Sequence, residues 1–191
     1  MDRLIWTAVS GMSAAMARQR MIASNMANSQ TIGFRAEVMQ FTPITLEGPS
    51  MEVRAMTDGS VRGARMDAGA MLGTGRALDV AMQGDAMLAV QAADGDEAYT
   101  RRGDLEVSSA GLLVNGEGFA VLGEDGPISL PPGSDISIGE DGAVLARDRA
   151  NPQAPPQLVG KLKLASWRGS RIDKGLDGLF RVPDGGVLPS D

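Results

Sequence analysis

Apolar and small side chains recur at helical spacing over residues 3–27, a stretch that contains no proline and one glycine, Gly11. Along one face they step by four and three residues alternately, which is the heptad pattern of helices that pack on other helices. The pattern therefore predicts a long amphipathic helix whose apolar seam needs a partner. The seam consists of Ile5, Val9, Met12, Met16, Gln19, Ala23 and Met26.

The partner of this seam has three interpretations. An amphipathic helix usually docks on a domain of its own chain, and this one can do the same. The heptad spacing, and the turn-rich residues between the helix and the first convincing strand, favour packing on helices of other subunits instead. A membrane-surface helix is disfavoured, because the polar face is rich in Ala and Ser and has few cations.

Stop signals follow the helix in the segment 25–35, NMANSQTIGFR, which contains two Asn residues, a polar Ser-Gln-Thr step and Gly33. From residue 36 to 76, Gly and Pro are spaced too closely for long helices or strands. We expect residues 36–76 to be an extended, partly β linker.

From residue 77 onward, short apolar runs alternate with turn residues, as in an antiparallel sandwich or barrel. Asp-Gly and Asn-Gly pairs predict tight hairpin turns at 94–95, 115–116, 125–126 and 141–142, because such turns need positive φ. The predicted strands are 77–82, 86–91, 97–101, 104–108, 111–115, 118–123, 127–130, 135–138, 142–146 and 161–167.

The predicted fold is thus mainly β with a long N-terminal α-helix. Its parts are an assembly helix of coiled-coil type with its turn (1–35), the linker (36–76), an antiparallel β-sandwich or barrel-like domain (77–183) and a tail (184–191).

Composition excludes several classes of chemistry. The chain has no Cys and no His, so disulfides, thiol nucleophiles, imidazole ligands and Ser–His–Asp triads are ruled out. The acidic pairs near 94–97 and 140–141 read as hairpin tips rather than calcium loops. Acidic residues are concentrated in 77–148, which disfavours nucleic-acid binding. We expect no enzymatic activity, no cofactor and no metal.

The N-terminus lacks the layout of a cleavable signal peptide, and no window of about 20 apolar residues is present to span a membrane. Absence of Cys suits an exported protein.

Several motifs in order resemble those of the flagellar basal-body rod and hook proteins, over nearly the whole chain. The segment 25–35 resembles that family's N-terminal signature, and 78–85, 98–103, 111–118 and 136–142 resemble its β-domain motifs. The signature positions here are Asn25, Ala27, Asn28, Thr31, Gly33, Phe34 and Arg35.

This resemblance implies a structural rod subunit in the periplasm that contacts other rod proteins and copies of itself. It implies export by the flagellar export apparatus without signal cleavage, and assembly through the seam residues Ile5, Val9, Met12, Met16, Ala23 and Met26. Asn28 and Gly33 are then expected to end the helix and reverse the chain, and Phe34 to anchor packing. Such proteins end in an amphipathic partner helix, which is absent before Asp191, and we expect a truncated chain.

The alternative is a soluble, secreted β-rich binding or carbohydrate-acting domain with a docked helix. Glycan binding without association with rod proteins would favour it.

Overall fold

The computed structural model describes residues 3–45 and 55–190. Its long α-helix, α1, spans Arg3–Ala27, as the heptad pattern predicts, and the remaining regular structure is almost entirely antiparallel strand. The predicted class, mainly β with a long N-terminal helix, is confirmed. Among the described residues the sheets stay open and do not close into a barrel.

The described chain divides into two units, one formed by residues 1–30 with 35–66 and the other by 31–34 with 67–191. In the first unit, strands β1 (Glu37–Thr45) and β2 (Ala55–Ala64) pair in register from Glu37 opposite Ala64 to Thr45 opposite Ala55. A bulge interrupts the pairing at Val38 and Met39. The helix α1 lies along this hairpin, mainly against β2. The hairpin occupies part of the range predicted as an extended, partly β linker. Its strands of 9 and 10 residues correct the expectation that Gly and Pro in this range exclude long strands, because cross-strand pairing holds both strands along their length.

The second unit contains two antiparallel sheets. The larger has the strand order β13-β14-β4-β3-β7-β6-β5, with β12 added beside β3 and β8 beside β7, and the smaller has the order β11-β10-β9. The strands are β3 (Ala86–Gln91), β4 (Glu97–Thr100), β5 (Leu105–Val107), β6 (Leu113–Asn115), β7 (Ala120–Gly123), β8 (Gly126–Pro127), β9 (Ser134–Ile138), β10 (Ala143–Asp148), β11 (Gln157–Lys161), β12 (Leu164–Ser166), β13 (Asp173–Lys174) and β14 (Phe180–Arg181).

The predicted Asp-Gly and Asn-Gly turns join paired strands. They connect β3 with β4, β6 with β7, β7 with β8, and β9 with β10. At the Asn-Gly turn the side chain of Asn115 is fully buried, and its Oδ1 accepts hydrogen bonds from the N–H groups of Glu117 (3.1 Å) and Phe119 (3.0 Å). Asn115 therefore shapes this turn through its side chain as well as through its backbone.

The core of the second unit is aliphatic, as the low aromatic content of the chain predicts. Its fully buried members come from neighbouring strands of the larger sheet and from β10 of the smaller one. They are Leu88, Val90, Ala98, Leu105, Leu113, Val121 and Val144, with Leu179 from the turn before β14. Removal of these aliphatic side chains from water stabilises the unit.

Three predicted strands differ from the structure: 127–130 is strand only at Pro127, 161–167 is divided between the end of β11 and β12, and 77–82 is not a strand. Residues 77–82 form only an isolated bridge between Asp79 and Asp104. Their backbone groups bond to a loop residue instead of to a neighbouring strand. The N–H of Val80 donates to the carbonyl of Gly103 at 2.8 Å. A Cβ on Gly103 would lie 1.8 Å from the carbonyl oxygen of Val80. The two backbone segments can therefore approach this closely only because residue 103 is glycine.

The final described segment returns to the larger sheet. Leu188 is buried, and its N–H donates to the phenolic oxygen of Tyr99 at 2.8 Å. That hydroxyl donates in turn to Glu97 Oε1 at 2.8 Å, and Glu97 Oε2 pairs with Lys163 Nζ at 2.6 Å. Burial, reinforced by Glu97, raises the pKa of Tyr99 well above its ordinary value, against the opposing effect of the Leu188 N–H. Tyr99 thus stays protonated and anchors residues 187–190.

Candidate assembly interface

The helix α1 uses its smaller side chains to pack on the hairpin. Ala14 is buried, and the other members of the same face are half-buried. They recur three and four residues apart, so they form one stripe along the helix. Short side chains let the helix backbone approach β2 closely. The stripe consists of Thr7, Ser10, Ala14, Ala17, Met21 and Ser24.

The predicted seam lies on the opposite face of α1 and is exposed. The large apolar seam side chains range from 50% exposed at Val9 to 74% at Met26, with Ile5, Met12 and Met16 between these values. Ala23 is exposed as well. Trp6 and Ile22, which are not seam residues, are also exposed. Within the described residues, every predicted seam residue is thus at least half exposed or classed as exposed.

The end of α1 is tied to the start of β1 by Asn25. Its Oδ1 accepts from the N–H of Glu37 at 2.8 Å, and its Nδ2 donates to the carbonyl of Glu37 at 3.1 Å. One residue earlier, Ser24 Oγ donates to Glu37 Oε1 at 3.2 Å. The amide of Asn25 therefore mimics a neighbouring strand and fixes where β1 begins.

Asn28 and Ser29 close the helix. Asn28 Nδ2 donates to the carbonyl of Ser24 at 2.9 Å, and Ser29 Oγ donates to that of Met26 at 2.9 Å. The same two carbonyls also accept from the backbone N–H groups of Asn28 (3.1 Å) and Ser29 (3.3 Å), so each side chain adds a second hydrogen bond at the helix end. Ala27 is the last helical residue and is exposed.

The turn Thr31–Phe34 belongs to the second unit. The N–H of Phe34 donates to the carbonyl of Thr31 at 3.1 Å, and Gly33 has a φ of 68°. A Cβ on Gly33 would lie 2.0 Å from the carbonyl oxygen of Arg101. Glycine is therefore required twice at this position, for the positive φ and for close contact between two backbones.

Two cations frame this turn. The guanidinium of Arg101 donates to three backbone carbonyls, those of Met82 (2.8 Å), Gly84 (2.7 Å) and Ala86 (3.0 Å), so it fixes the loop before β3. The ammonium of Lys174 lies 4.2 Å from the centre of the half-buried Phe34 ring. A cation over an aromatic face is a favourable contact. Arg35, the last signature residue, is half-buried and belongs to the first unit.

The structure thus separates the predicted residues into two sets that do different things. The seam is a surface, whereas Asn25, Asn28, Gly33 and Phe34 act inside the molecule. Sequence reasoning missed Glu37 and Lys174 as their partners. The helix stop signals did not reveal Glu37, because Asn25 binds its backbone rather than its side chain.

The described residues contain no group of three His, Cys, Asp or Glu that could hold a metal ion. In the part of the chain that the structure describes, no helix has the length and apolar character needed to cross a membrane.

Comparison with known proteins identifies relatives over almost the whole chain. The flagellar basal-body rod protein FlgF of Escherichia coli is 42% identical over 182 residues, which cover 95% of this chain and 72% of the relative. The FlgF of Salmonella typhimurium is 41% identical over the same shares of both chains. The chain belongs to the FlgF family of flagellar basal-body rod proteins.

Two family models match parts of this FlgF-family chain. The model described as "Flagella basal body rod protein" matches residues 5–35, which are α1 and the signature turn. The model described as "Flagellar hook protein FlgE/F/G D1 domain" matches residues 81–146, which contain β3 to β9 and the first four residues of β10. The basal-body rod protein FlgG of Bacillus subtilis is also similar, at 30% identity over 95% of this chain and 74% of its own length. The family resemblance inferred from the motifs is confirmed.

Proposed function

We propose that this chain is a structural subunit of the flagellar basal-body rod and that it assembles through the exposed seam of α1. The observation that supports this proposal is the division of α1 into two faces. Small residues around Ala14 serve the hairpin of the same chain, while Ile5, Val9, Met12 and Met16 remain about half exposed or more. A face of this kind is typical of a helix that packs on another helix.

The energetics of the seam favour a polymer over a simple dimer. Burying a large apolar side chain completely is worth about 1.5–3 kcal/mol, and the seam side chains already have part of their surface covered. Five such residues would therefore contribute at most about 9 kcal/mol. Association costs about 4–15 kcal/mol in lost freedom. The seam alone does not offset the upper part of that range, so we expect association where neighbouring subunits add further contacts.

The finer assignment follows the family. We place the subunit in the proximal rod, within the periplasm, in contact with other rod proteins and with copies of itself, where it helps transmit torque. Delivery by the flagellar export apparatus without signal cleavage is part of this proposal and follows from the family resemblance. The role is structural, with no catalytic step.

The seam is tested by comparing Met12→Asp and Met16→Asp, singly and together, with Ser13→Asp. Ser13 is exposed but lies off the seam, so it receives the same new charge without placing it in the interface. Each purified variant is mixed with the rod proteins of the same bacterium, and co-assembly is followed by sedimentation. The same variants are tested for restoring motility to a strain that lacks this subunit.

We expect both seam variants to lose co-assembly and motility, because a carboxylate buried among apolar side chains has no partner there. Ser13→Asp should assemble. Urea unfolding of all variants should agree within about 1 kcal/mol, since exposed positions contribute little to stability. Normal assembly of the double seam variant, or equal failure of Ser13→Asp, would contradict the proposal.

A further inference from the structure

The methionines of this chain are unevenly distributed between surface and interior. Among the residues whose side chains are described, the exposed methionines are Met12, Met16, Met26 and Met71. Three of these four lie on the seam of α1. Met87, by contrast, is completely buried in the second unit. The surface proposed for assembly is therefore also where most of the accessible thioether sulfur is found.

We propose that the seam is an oxidation-sensitive site, at which peroxide converts Met12, Met16 and Met26 to methionine sulfoxides and thereby blocks assembly. The inference rests on the proposed function, because it assumes that the seam is buried when subunits assemble. Assembly through that surface would then be controlled by two-electron oxidants such as hydrogen peroxide.

The chemical step is balanced without a cofactor. A lone pair of the thioether sulfur attacks one peroxide oxygen, the O–O bond breaks, and the remaining oxygen leaves as water after gaining a proton. The sulfur is oxidised by two electrons and the peroxide is reduced. The product is a sulfoxide, which is reversible by methionine sulfoxide reductases. Exposure of 59% at Met12, 52% at Met16 and 74% at Met26 gives the oxidant direct access.

The consequence follows from the neighbours of these side chains. Met12 and Met16 are four residues apart, so they are adjacent on one helix face, between Val9 and Gln19. Gln19 is the one polar member of the seam and stands next to Met16, whereas the seam neighbours of Met12, which are Val9 and Met16, carry no polar side-chain group that could pair with a sulfoxide oxygen. Burying that oxygen unpaired is unfavourable, whereas methionine itself packs readily in irregular apolar contacts. Assembly should in turn cover the sulfur atoms and protect them.

The test treats the purified protein with hydrogen peroxide and follows each methionine by peptide mass spectrometry. The oxidised chain is then mixed with untreated rod proteins, and co-sedimentation is measured before and after incubation with methionine sulfoxide reductases. The matched variants are Met12→Leu/Met16→Leu/Met26→Leu, which keeps the apolar volume but cannot form sulfoxides, and Met71→Leu, which removes the exposed methionine outside the helix.

We expect Met12, Met16 and Met26 to oxidise well before Met87, and co-sedimentation to fall at least tenfold and recover after enzymatic reduction. The triple leucine variant should assemble whether or not it has been treated, and Met71→Leu should remain sensitive. Pre-assembled subunits should be protected at the three seam positions.

Failure of this inference is distinguishable from failure of the proposed function. If the untreated natural chain assembles and Asp at Met12 and Met16 blocks assembly, but a chain with verified seam sulfoxides assembles equally well, the oxidation inference is overturned and the assembly surface stands. Loss of assembly without recovery on reduction would also overturn it. If Asp at these positions has no effect either, the assembly surface itself is wrong.

Discussion

Replacement of Gly33 by alanine tests how the signature turn is held. Gly33 has a φ of 68°, and an added Cβ would stand 2.0 Å from the carbonyl oxygen of Arg101. The neighbouring carbonyl carbon and the Arg102 nitrogen lie 2.4 and 2.8 Å from the same point. All three obstacles are backbone atoms, so no side-chain rotation relieves the clash. The turn must separate from residues 101–102 to admit the methyl group.

The magnitude has two parts. A left-handed conformation costs an L-residue about 1–2 kcal/mol relative to glycine. Overpacking in a closely packed contact typically costs a further 1–3 kcal/mol or so. Together they predict a destabilisation of about 3 kcal/mol. The loss cannot exceed the free energy that holds the turn against residues 101–102. If the strain is larger than that free energy, the turn separates and the rest of the second unit stays folded.

The control is Gly133→Ala, because Gly133 has a similar φ of 75° and no atom within 4 Å of an added Cβ. It should show the conformational part alone, about 1 kcal/mol. Urea unfolding is followed by Trp167 fluorescence in a Trp6→Phe background, since Trp6 is exposed on α1. Hydrogen exchange of peptides covering residues 31–37 and 99–103 reports local undocking.

We expect Gly33→Ala to lower stability by about 2 kcal/mol more than Gly133→Ala, or to speed exchange in both peptides while global unfolding changes less. If the two variants have equal stability and equal exchange, the close approach to Arg101 contributes nothing, and Gly33 serves only as a positive-φ residue.

Two further substitutions test the helix end and the buried tyrosine. Asn25→Ala removes both bonds to the Glu37 backbone and should cost about 1–2 kcal/mol, with faster hydrogen exchange at the start of β1; unchanged exchange there would contradict the assigned role. Tyr99→Phe leaves the Leu188 N–H without its partner and should likewise cost about 1–2 kcal/mol in urea unfolding. Because folding raises the Tyr99 pKa above 10.0, native stability should be complete below pH 10 and fall above it, as the unfolded chain loses its phenolic proton first. Tyr99 is the only tyrosine, so phenolate absorbance reports it alone, and Tyr99→Phe should flatten the alkaline decline; native titration near pH 10 would contradict the burial argument.

Sequence patterns predicted the helix and the turns that depend on interactions between residues close in sequence. The heptad spacing located α1, and the Asp-Gly and Asn-Gly pairs located hairpin turns, because each depends on residues close in sequence. Residues 77–82 have the composition of a strand but do not form one. Their hydrogen bonds go to Gly103 and to the side chain of Arg101, partners that no local pattern identifies.

The same limit applies to the signature turn. The pattern predicted that Gly33 ends the helix and reverses the chain, and its positive φ agrees with a turn. The tighter constraint is the carbonyl of Arg101, which is remote in sequence and visible only when the second unit is folded. Residues 98–103 resemble one of the family's β-domain motifs. Their contact with Gly33 brings together two motifs that are far apart in the sequence.

The helix α1 shows why an apolar pattern alone does not tell which face is buried within a chain. The largest apolar side chains, such as Val9, Met12 and Met16, would be expected to face the hairpin. The stripe around Ala14 and Ser24 faces it instead. Small side chains bury little apolar area, but they permit close backbone approach, and Ser24 with Asn25 adds hydrogen bonds at one end. Apart from Met21, the intrachain contact is thus made by small side chains, and the large seam side chains stay exposed. Had the large seam packed on the hairpin, only small residues would face other subunits, and their burial would contribute too little free energy to drive association.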